Sequence, residues 1–346
     1  LERNEESLVK ERSDANLIAK FRSIPLRILM DEALERRLPV EYPKKPEIQQ
    51  NIARRRAGFN GEKILDYYLS VLPENNFTFL HDLRLSNGET YFQIDTLLLS
   101  PNFVLLIEVK HITGTLFFDR TFEQLIRISK ENEEKFINPV AQAERQHRQF
   151  SKWLKDHHFN VIPVDYMVVF THPSTILKSS PDYSQLNHKA CDIELLSKNI
   201  DRLSQWYKTE KMSVKEIKRL TTLLLKKHSP HRPNILKTYN LSSTDIIPGV
   251  QCSKCLALPM IRTRGKWHCP HCLASSKEAH VDALRDFALI FHPTITNYQL
   301  RNFLRLESSY IAKYLLDVMQ LPFTGKNKGR IYNLEDLINE IDTQRS

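Results

Sequence analysis

The stretch Tyr91-Phe92-Gln93-Ile94-Asp95-Thr96-Leu97-Leu98-Leu99-Ser100-Pro101-Asn102-Phe103-Val104-Leu105-Leu106-Ile107-Glu108-Val109-Lys110 decides the fold. It reads as two strands, Tyr91 to Leu99 and Phe103 to Lys110, reversed by a turn at Ser100-Pro101-Asn102. The second strand is apolar enough to be buried on both faces, as strands of an α/β sheet are. Glu108-Val109-Lys110 ends it, and Asp95 interrupts the first strand. A buried charge is costly unless it is paired or bound to a metal. A turn centred on Pro101-Asn102 sets Asp95 across from Glu108 and Lys110 across from Gln93. With strict alternation all four side chains leave one face. Directly opposed Cβ atoms lie about 4.5–5.5 Å apart, so the two carboxylates can share one divalent cation with Lys110 beside it. The plain alternative is a Glu108–Lys110 ion pair at a strand end.

Working outward, Asn60 can cap a helix that carries Ile64, Leu65, Tyr68, Leu69 and Leu72 on one face, with Pro73 just past its end. Phe77 to Leu85 alternates as a strand and leads into an Asn87-Gly88 turn. If that turn is tight, Asp82 falls on the same face as Asp95; it reads as a strand-edge charge. His111 points to the other face and reads as structural. Downstream, Asn138 to Lys155 predicts a helix with Pro139 in its first turn, and Val161 to Phe170 a further strand. The order helix, three strands, helix, strand predicts an α/β (α+β) class, with a mixed sheet flanked by helices.

This domain is expected over residues 51–195. Residues 1–50 read as a helical extension: Asp14 caps a helix through Ile18, Phe21, Ile24, Leu26, Leu29 and Leu34, broken or kinked at Pro25, and Val40 to Pro46 is a linker. Residues 196–240 read as a basic helical segment, with eleven Lys/Arg against three Asp/Glu from Lys198 to Asn240 and a proline-bearing linker at His228 to Asn234. The whole chain of 346 residues has 50 Lys/Arg against 41 Asp/Glu, a net charge of +9. That excess suits an anionic partner, although a solvated basic helix face explains it equally. No stretch approaches the roughly 18 apolar residues of a membrane span. The charged start, Leu1 to Asp14, lacks an apolar core, so a cytoplasmic protein without a membrane partner is expected.

Cys252-x2-Cys255 and Cys269-x2-Cys272 are a strong tetrahedral Zn²⁺ signature. Four thiolates close the coordination shell, so this zinc is structural. The module, residues 248–276, resembles a zinc ribbon whose hairpin would project Arg262, Arg264 and Lys266. His268 and His271 are alternative ligands that would leave a cysteine idle, and Cys191 stands alone as a packing residue. In residues 280–346, Thr296 can cap a helix with Tyr298, Leu300, Phe303 and Leu304, and Glu307-Ser308-Ser309 starts another with Tyr310, Ile311, Leu315, Leu316 and Met319. The basic loop Thr324 to Arg330 follows. This is the pattern of a helix-turn-helix with a wing, or of a plain helical cap or dimer interface.

Gly61-Glu62, Gln93-Ile94-Asp95, Ile107-Glu108-Val109-Lys110 and Asn138-Pro139-Val140-Ala141-Gln142 together resemble the NERD, or nuclease-related, domain of the PD-(D/E)xK nuclease superfamily. The resemblance covers roughly residues 54 to 170. It implies a restriction-endonuclease-like fold, metal ligands at Asp95 and Glu108, a catalytic lysine at Lys110, and assisting roles for Glu62 and Gln142. The Pro-Asp pair that names the superfamily is absent; Gln93-Ile94 precede Asp95 instead. The expected activity is Mg²⁺- or Mn²⁺-dependent hydrolysis of DNA phosphodiesters, serving DNA processing or anti-phage defence. A hard cation held by carboxylates polarises the phosphoryl oxygen and activates water. The second reading is a nucleic-acid-binding or scaffold protein with an inactive nuclease fold. The sequence holds no ATP-binding motif, so any helicase or defence partner is a separate chain, and a homo-oligomer is the other expected assembly.

Overall fold

The chain enters with a short strand, β1 (Leu17–Lys20), followed by two helices, α1 (Leu26–Arg37) and α2 (Lys45–Ser70). The computed structural model describes residues 16–73, 77–129, 132–159, 162–181 and 183–344. Contacts divide the chain into two units: Leu1–Ser23 with Ala57–His231, and Ile24–Arg56 with Arg232–Ser346.

In the first unit, β2 (Thr78–Ser86), β3 (Tyr91–Leu99) and β4 (Val104–Lys110) form an antiparallel meander, as the sequence predicts. Strands β5 (Gly114–Asp119), β6 (Gln124–Ile128) and β7 (Glu133–Phe136) follow, then helix α3 (Pro139–Asp156). Asn138 caps α3 by accepting from the Val140 amide, and Pro139 occupies the first turn. The unit is completed by β8 (Val164–Phe170), β9 (Thr175–Ser179), β10 (Ala190–Asp192), α4 (Leu196–Trp206) and α5 (Val214–Lys227). The main sheet runs β1-β2-β3-β4-β8-β10, with β4, β8 and β10 parallel to one another and β1 parallel to β2. Leu65 and Leu69 of α2 and Leu196, Ile200 and Leu203 of α4 cover one face. Phe150, Trp153 and Leu154 of α3 and Ile217, Leu220 and Leu224 of α5 cover the other. A second sheet, β7-β6-β5-β9, packs Leu116, Phe118 and Leu125 against the start of α3.

Three local expectations fail. Ile18 lies in a strand, not a helix, and Pro25 immediately precedes α1, where its fixed φ suits a helix start. Asp14 falls outside the described residues. Asn60 sits in the middle of α2, which begins at Lys45, so part of the expected linker is helix; Pro46 is tolerated because the first turn needs no amide donor there. The second sheet was not anticipated.

In the second unit, α1, the start of α2 and α6 (Ile235–Tyr239) share a core with everything downstream. A hairpin of β11 (Ile261–Thr263) and β12 (Lys266–His268) pairs with β13 (Ser275–Ser276). Helix α7 (Ala279–Ile290) follows, then β14 (Thr294–Thr296), α8 (Asn297–Leu304), α9 (Ser309–Val318), β15 (Phe323–Thr324), β16 (Ile331–Asn333) and α10 (Glu335–Gln344). Thr296 forms a reciprocal capping box with Gln299 at the start of α8. Buried Arg37 ties α1 to α7 through Asp286 at 2.8 Å and to the Gly249 carbonyl at 2.6 Å. Among the described residues no helix is long and apolar enough to cross a membrane.

Candidate active site

The β3–β4 ladder pairs Leu99 with Val104 and Thr96 with Ile107, the register that the Pro101-Asn102 turn dictates. The ladder stops just short of Asp95 and Glu108. Asp95 Oδ2 instead accepts the Val109 amide at 2.9 Å. Glu108 is buried. Its Oε1 accepts from Lys110 Nζ at 2.6 Å and Gln142 Nε2 at 2.6 Å, and its Oε2 from Gln146 Nε2 at 2.8 Å. Lys110 Nζ also donates to Gln142 Oε1 at 3.2 Å. Gln142 and Gln146 are one turn apart on α3, so both reach the same carboxylate.

Gln93 does not join this group. Leu97 and Leu99 pack in one core cluster, and so do Phe92 and Ile94, so strict alternation breaks between Ile94 and Leu97. Strand β2 breaks at the same level: Leu80, Leu83 and Leu85 share that cluster while Phe77 and Phe79 lie in the other. The β2–β3 ladder runs from His81↔Thr96 to Leu83↔Ile94 and omits Asp82 and Asp95. Asp82 takes a left-handed backbone there, φ 51°, which aspartate tolerates better than most residues. The register also differs from that of a tight Asn87-Gly88 turn, because the loop extends through Thr90, whose amide Asn87 Oδ1 accepts. Paired breaks of this kind re-aim side chains at sheet sites.

Glu62 comes from α2. A Cβ on the preceding Gly61 would lie 2.4 Å from His111 Cβ and 2.8 Å from Thr171 Oγ1, so glycine is what lets the helix approach the ends of β4 and β8. His111 donates to or accepts from Thr171 Oγ1 at 3.0 Å and packs on His172, a structural placement. Glu62 Oε2 accepts from Arg22 Nη1 at 2.7 Å. The Arg22 guanidinium, 3% exposed, also forks onto Asp66 at 2.8 and 3.0 Å and reaches Asp82 Oδ1 at 3.3 Å, Thr96 Oγ1 at 2.8 Å and the Asp95 carbonyl at 3.4 Å. Burial and the neighbouring Asp82 push the Glu62 carboxyl up to about 7, against the pull of Arg22. Burial, Glu108 and Glu62 hold the Asp95 carboxyl well above the usual range.

Residues 57–171 match the family described as nuclease-related domain, NERD. This segment is a NERD domain. Two solved structures are similar in part. Protein VC1899 from Vibrio cholerae is 14% identical over 53% of this chain and 50% of its own, with a TM-score of 0.26. The small subunit of the heterodimeric restriction endonuclease R.BspD6I is 11% identical over 57% of this chain and 88% of its own, with a TM-score of 0.17. The present chain thus spans half the length of the first. No curated protein matches it.

The arginine at the heart of the NERD domain's acidic cluster comes from outside the matched segment, on the loop after β1. Nothing in the local sequence marked Arg22, because its partners lie at least 40 positions away. Asp66 and Gln146 were legible, each four residues beyond an expected site residue on the same helix. Hard oxygen donors with raised carboxyls, and an Asp82 Oδ2 that is buried without a hydrogen-bond partner, fit a cation. Among the described residues, the group that gathers three or more potential ligand atoms within 4.8 Å of one another is the cysteine set.

In the second unit, Cys252, Cys255, Cys269 and Cys272 converge, with Sγ–Sγ distances of 3.6 Å (Cys252–Cys272) and 3.5 Å (Cys255–Cys269). Tetrahedral Zn–S bonds of about 2.3 Å suit such spacing. Leu256 and Leu273, each following the second cysteine of a pair, adopt left-handed φ values of 60° and 57°, which turn the chain back around the sulfurs. His268 and His271 are not in the set, and Cys191 is buried alone in the first unit.

Proposed function

We propose that the NERD domain hydrolyses DNA phosphodiester bonds with a divalent cation, Mg²⁺ or Mn²⁺, held by Asp95 and Glu108. The observation that carries this reading is that Asp95 and Glu108 each adjoin the last pair of the β3–β4 ladder, Thr96 and Ile107, with Asp95 Oδ2 accepting the Val109 amide at 2.9 Å and Lys110 Nζ 2.6 Å from Glu108 Oε1. When bound, the cation supplies Lewis acidity toward the phosphoryl oxygen and activates water.

The chain's own residues do the rest. Lys110, shared between Glu108 and Gln142, offers an ammonium that orients the attacking water and offsets charge growing on the phosphate. Gln142 and Gln146 hold the Glu108 carboxylate in place. Arg22 fixes Glu62 and offsets the acidic crowd beside the scissile group. Zn²⁺ on the four cysteines stabilises the second unit and takes no part in the chemistry.

Supercoiled plasmid and linear duplex are incubated with purified protein and Mg²⁺ or Mn²⁺, beside Asp95→Ala and Lys110→Ala. Metal-dependent cutting lost in both variants supports the reading. Equal cutting by the variants, or cutting of RNA alone, sinks it.

A further inference from the structure

We propose that the second unit is a double-stranded DNA reader that lays α9 in the major groove and sets the β15–β16 loop and the β11–β12 hairpin against the phosphate backbone. The order α7, β14, α8, α9, β15, β16, with β16 paired between β14 and β15, is that of a winged helix-turn-helix. Fold alone does not assign binding, and the side chains carry the argument.

Helix α9 buries Ala312, Leu315 and Leu316 and turns Tyr310, Lys313 and Tyr314 outward. Tyr310 is 78% exposed and Tyr314 54%, two aromatic rings one turn apart on the outward face. Lys313 has only an exposed partner one turn on, Asp317 at 3.4 Å. The β15–β16 loop carries exposed Lys326 and Lys328 with no acidic residue from Thr324 to Arg330. Its shape is fixed: a Cβ on Gly325 would meet the Gly329 carbonyl oxygen at 2.5 Å, and Arg330 stacks on Phe323 at 4.0 Å.

The zinc module belongs to the same surface. Arg262 of its hairpin lies near Tyr314 of α9. The Arg262 guanidinium lies over the Trp267 ring at 5.3 Å and that of Arg301 over the Tyr298 ring at 5.8 Å, and guanidinium forks match phosphate oxygens.

Duplex DNA is the occupant that this chemistry selects. A ten-residue helix, about 15 Å long, suits a B-form major groove about 12 Å wide. The deep, narrow groove of A-form RNA admits no helix. Exposed lysines on a protruding loop suit a continuous line of phosphates.

The inference concerns binding and stands apart from cleavage. The test is fluorescence anisotropy of the full zinc-loaded chain, without added Mg²⁺, on a short labelled DNA duplex, its single strand and the corresponding RNA duplex. Tyr310→Ala/Lys313→Ala/Tyr314→Ala should weaken duplex binding about tenfold or more. Lys326→Ala/Lys328→Ala should flatten the slope of log affinity against log salt by about 2. Gly58→Ala, with nothing within 4 Å of an added Cβ, should bind as the parent does. Melting curves and zinc content confirm that the variants are folded. Unchanged duplex affinity in both surface variants, tighter binding of single strand or RNA, or no DNA binding overturns the proposal. Loss of cutting with retained binding strikes the nuclease reading alone.

Discussion

Replacing Arg22 with glutamine tests the internal logic of the site most directly. The guanidinium is nearly inaccessible and contacts three carboxylates, Glu62, Asp66 and Asp82, whose side chains are only 21%, 27% and 19% exposed. Removing one partner of a buried ionic group costs about 3–5 kcal/mol, because the other charge remains buried. For a unit of 150–250 residues each kcal/mol moves Tm by about 2–4 °C, so the expected loss is about 6–20 °C.

The loss should depend on pH. Glu62 in the folded chain sits at about 7, above its ordinary 4.5. Such a group favours folding below its unfolded value, and that contribution is lost as pH rises through the folded one. Arg22 restrains this rise, and it restrains Asp82 as well. Without it the carboxyls climb further, so Arg22→Gln should fall furthest behind the parent at pH 8 and recover ground near pH 5.5, where the carboxyls take up protons. Arg22→Lys, which keeps the charge but cannot fork onto Asp66, should lie between. Paired thermal melts at the two pH values decide. An equal deficit at both, or a deficit under about 1 kcal/mol, refutes a charge-compensating Arg22.

Three further substitutions read separate parts of the molecule. Gly61→Ala should destabilise by about 1–3 kcal/mol through overpacking against His111 and Thr171, while Gly58→Ala, with nothing within 4 Å of an added Cβ, should be neutral or stabilising; thermal melts that move together in both variants contradict the close approach. Cys269→Ser should lose bound zinc, measured by elemental analysis, and lower the melting transition of the second unit, and chelation of the parent should reproduce the effect. Retention of zinc with an unchanged transition removes Cys269 from the ligand set.

The helix–strand order of the NERD domain and the β3–β4 register were legible because they follow from short-range rules: alternation, a proline turn and a capped helix. Asp95, Glu108, Lys110 and Gln142 are drawn into one neighbourhood by that register and by a helix with Asn138 at its cap. The failures have a common cause. Gln93 was placed by strict alternation, and the paired break at Asp82 and Asp95 defeats alternation on both strands at once. Asp82 reads in sequence as a strand-edge charge on the Asp95 face, and its left-handed backbone cannot be read from pattern. Leu116-Phe117-Phe118 and Leu125-Ile126 are short apolar runs without polar–apolar alternation, and β9, which completes their sheet, lies beyond α3 and β8. Arg22 depends wholly on tertiary placement.

Charge balance joins these observations to metal binding. Glu62, Asp66, Asp82, Asp95 and Glu108 outnumber the chain's own cations that face them, Arg22 and Lys110 with Lys20 near Asp82. Raised carboxyls are what such an excess produces when protons supply the missing positive charge. The divalent cation proposed at Asp95 and Glu108 would supply it instead, and a cation that binds the folded chain alone stabilises that chain. At a concentration one hundred times its Kd the gain is about 2.7 kcal/mol, or about 5–11 °C in Tm. Asp95→Asn should abolish the shift, whereas Arg22→Gln, which removes a neighbouring positive charge, should keep or enlarge it. The measurement is a melting titration with Mg²⁺ and needs no substrate, so it reports on the site whether or not cutting is seen. A shift of the same size in Asp95→Asn would place the cation elsewhere, and a shift lost only in Arg22→Gln would reverse the roles assigned to the two halves of the cluster.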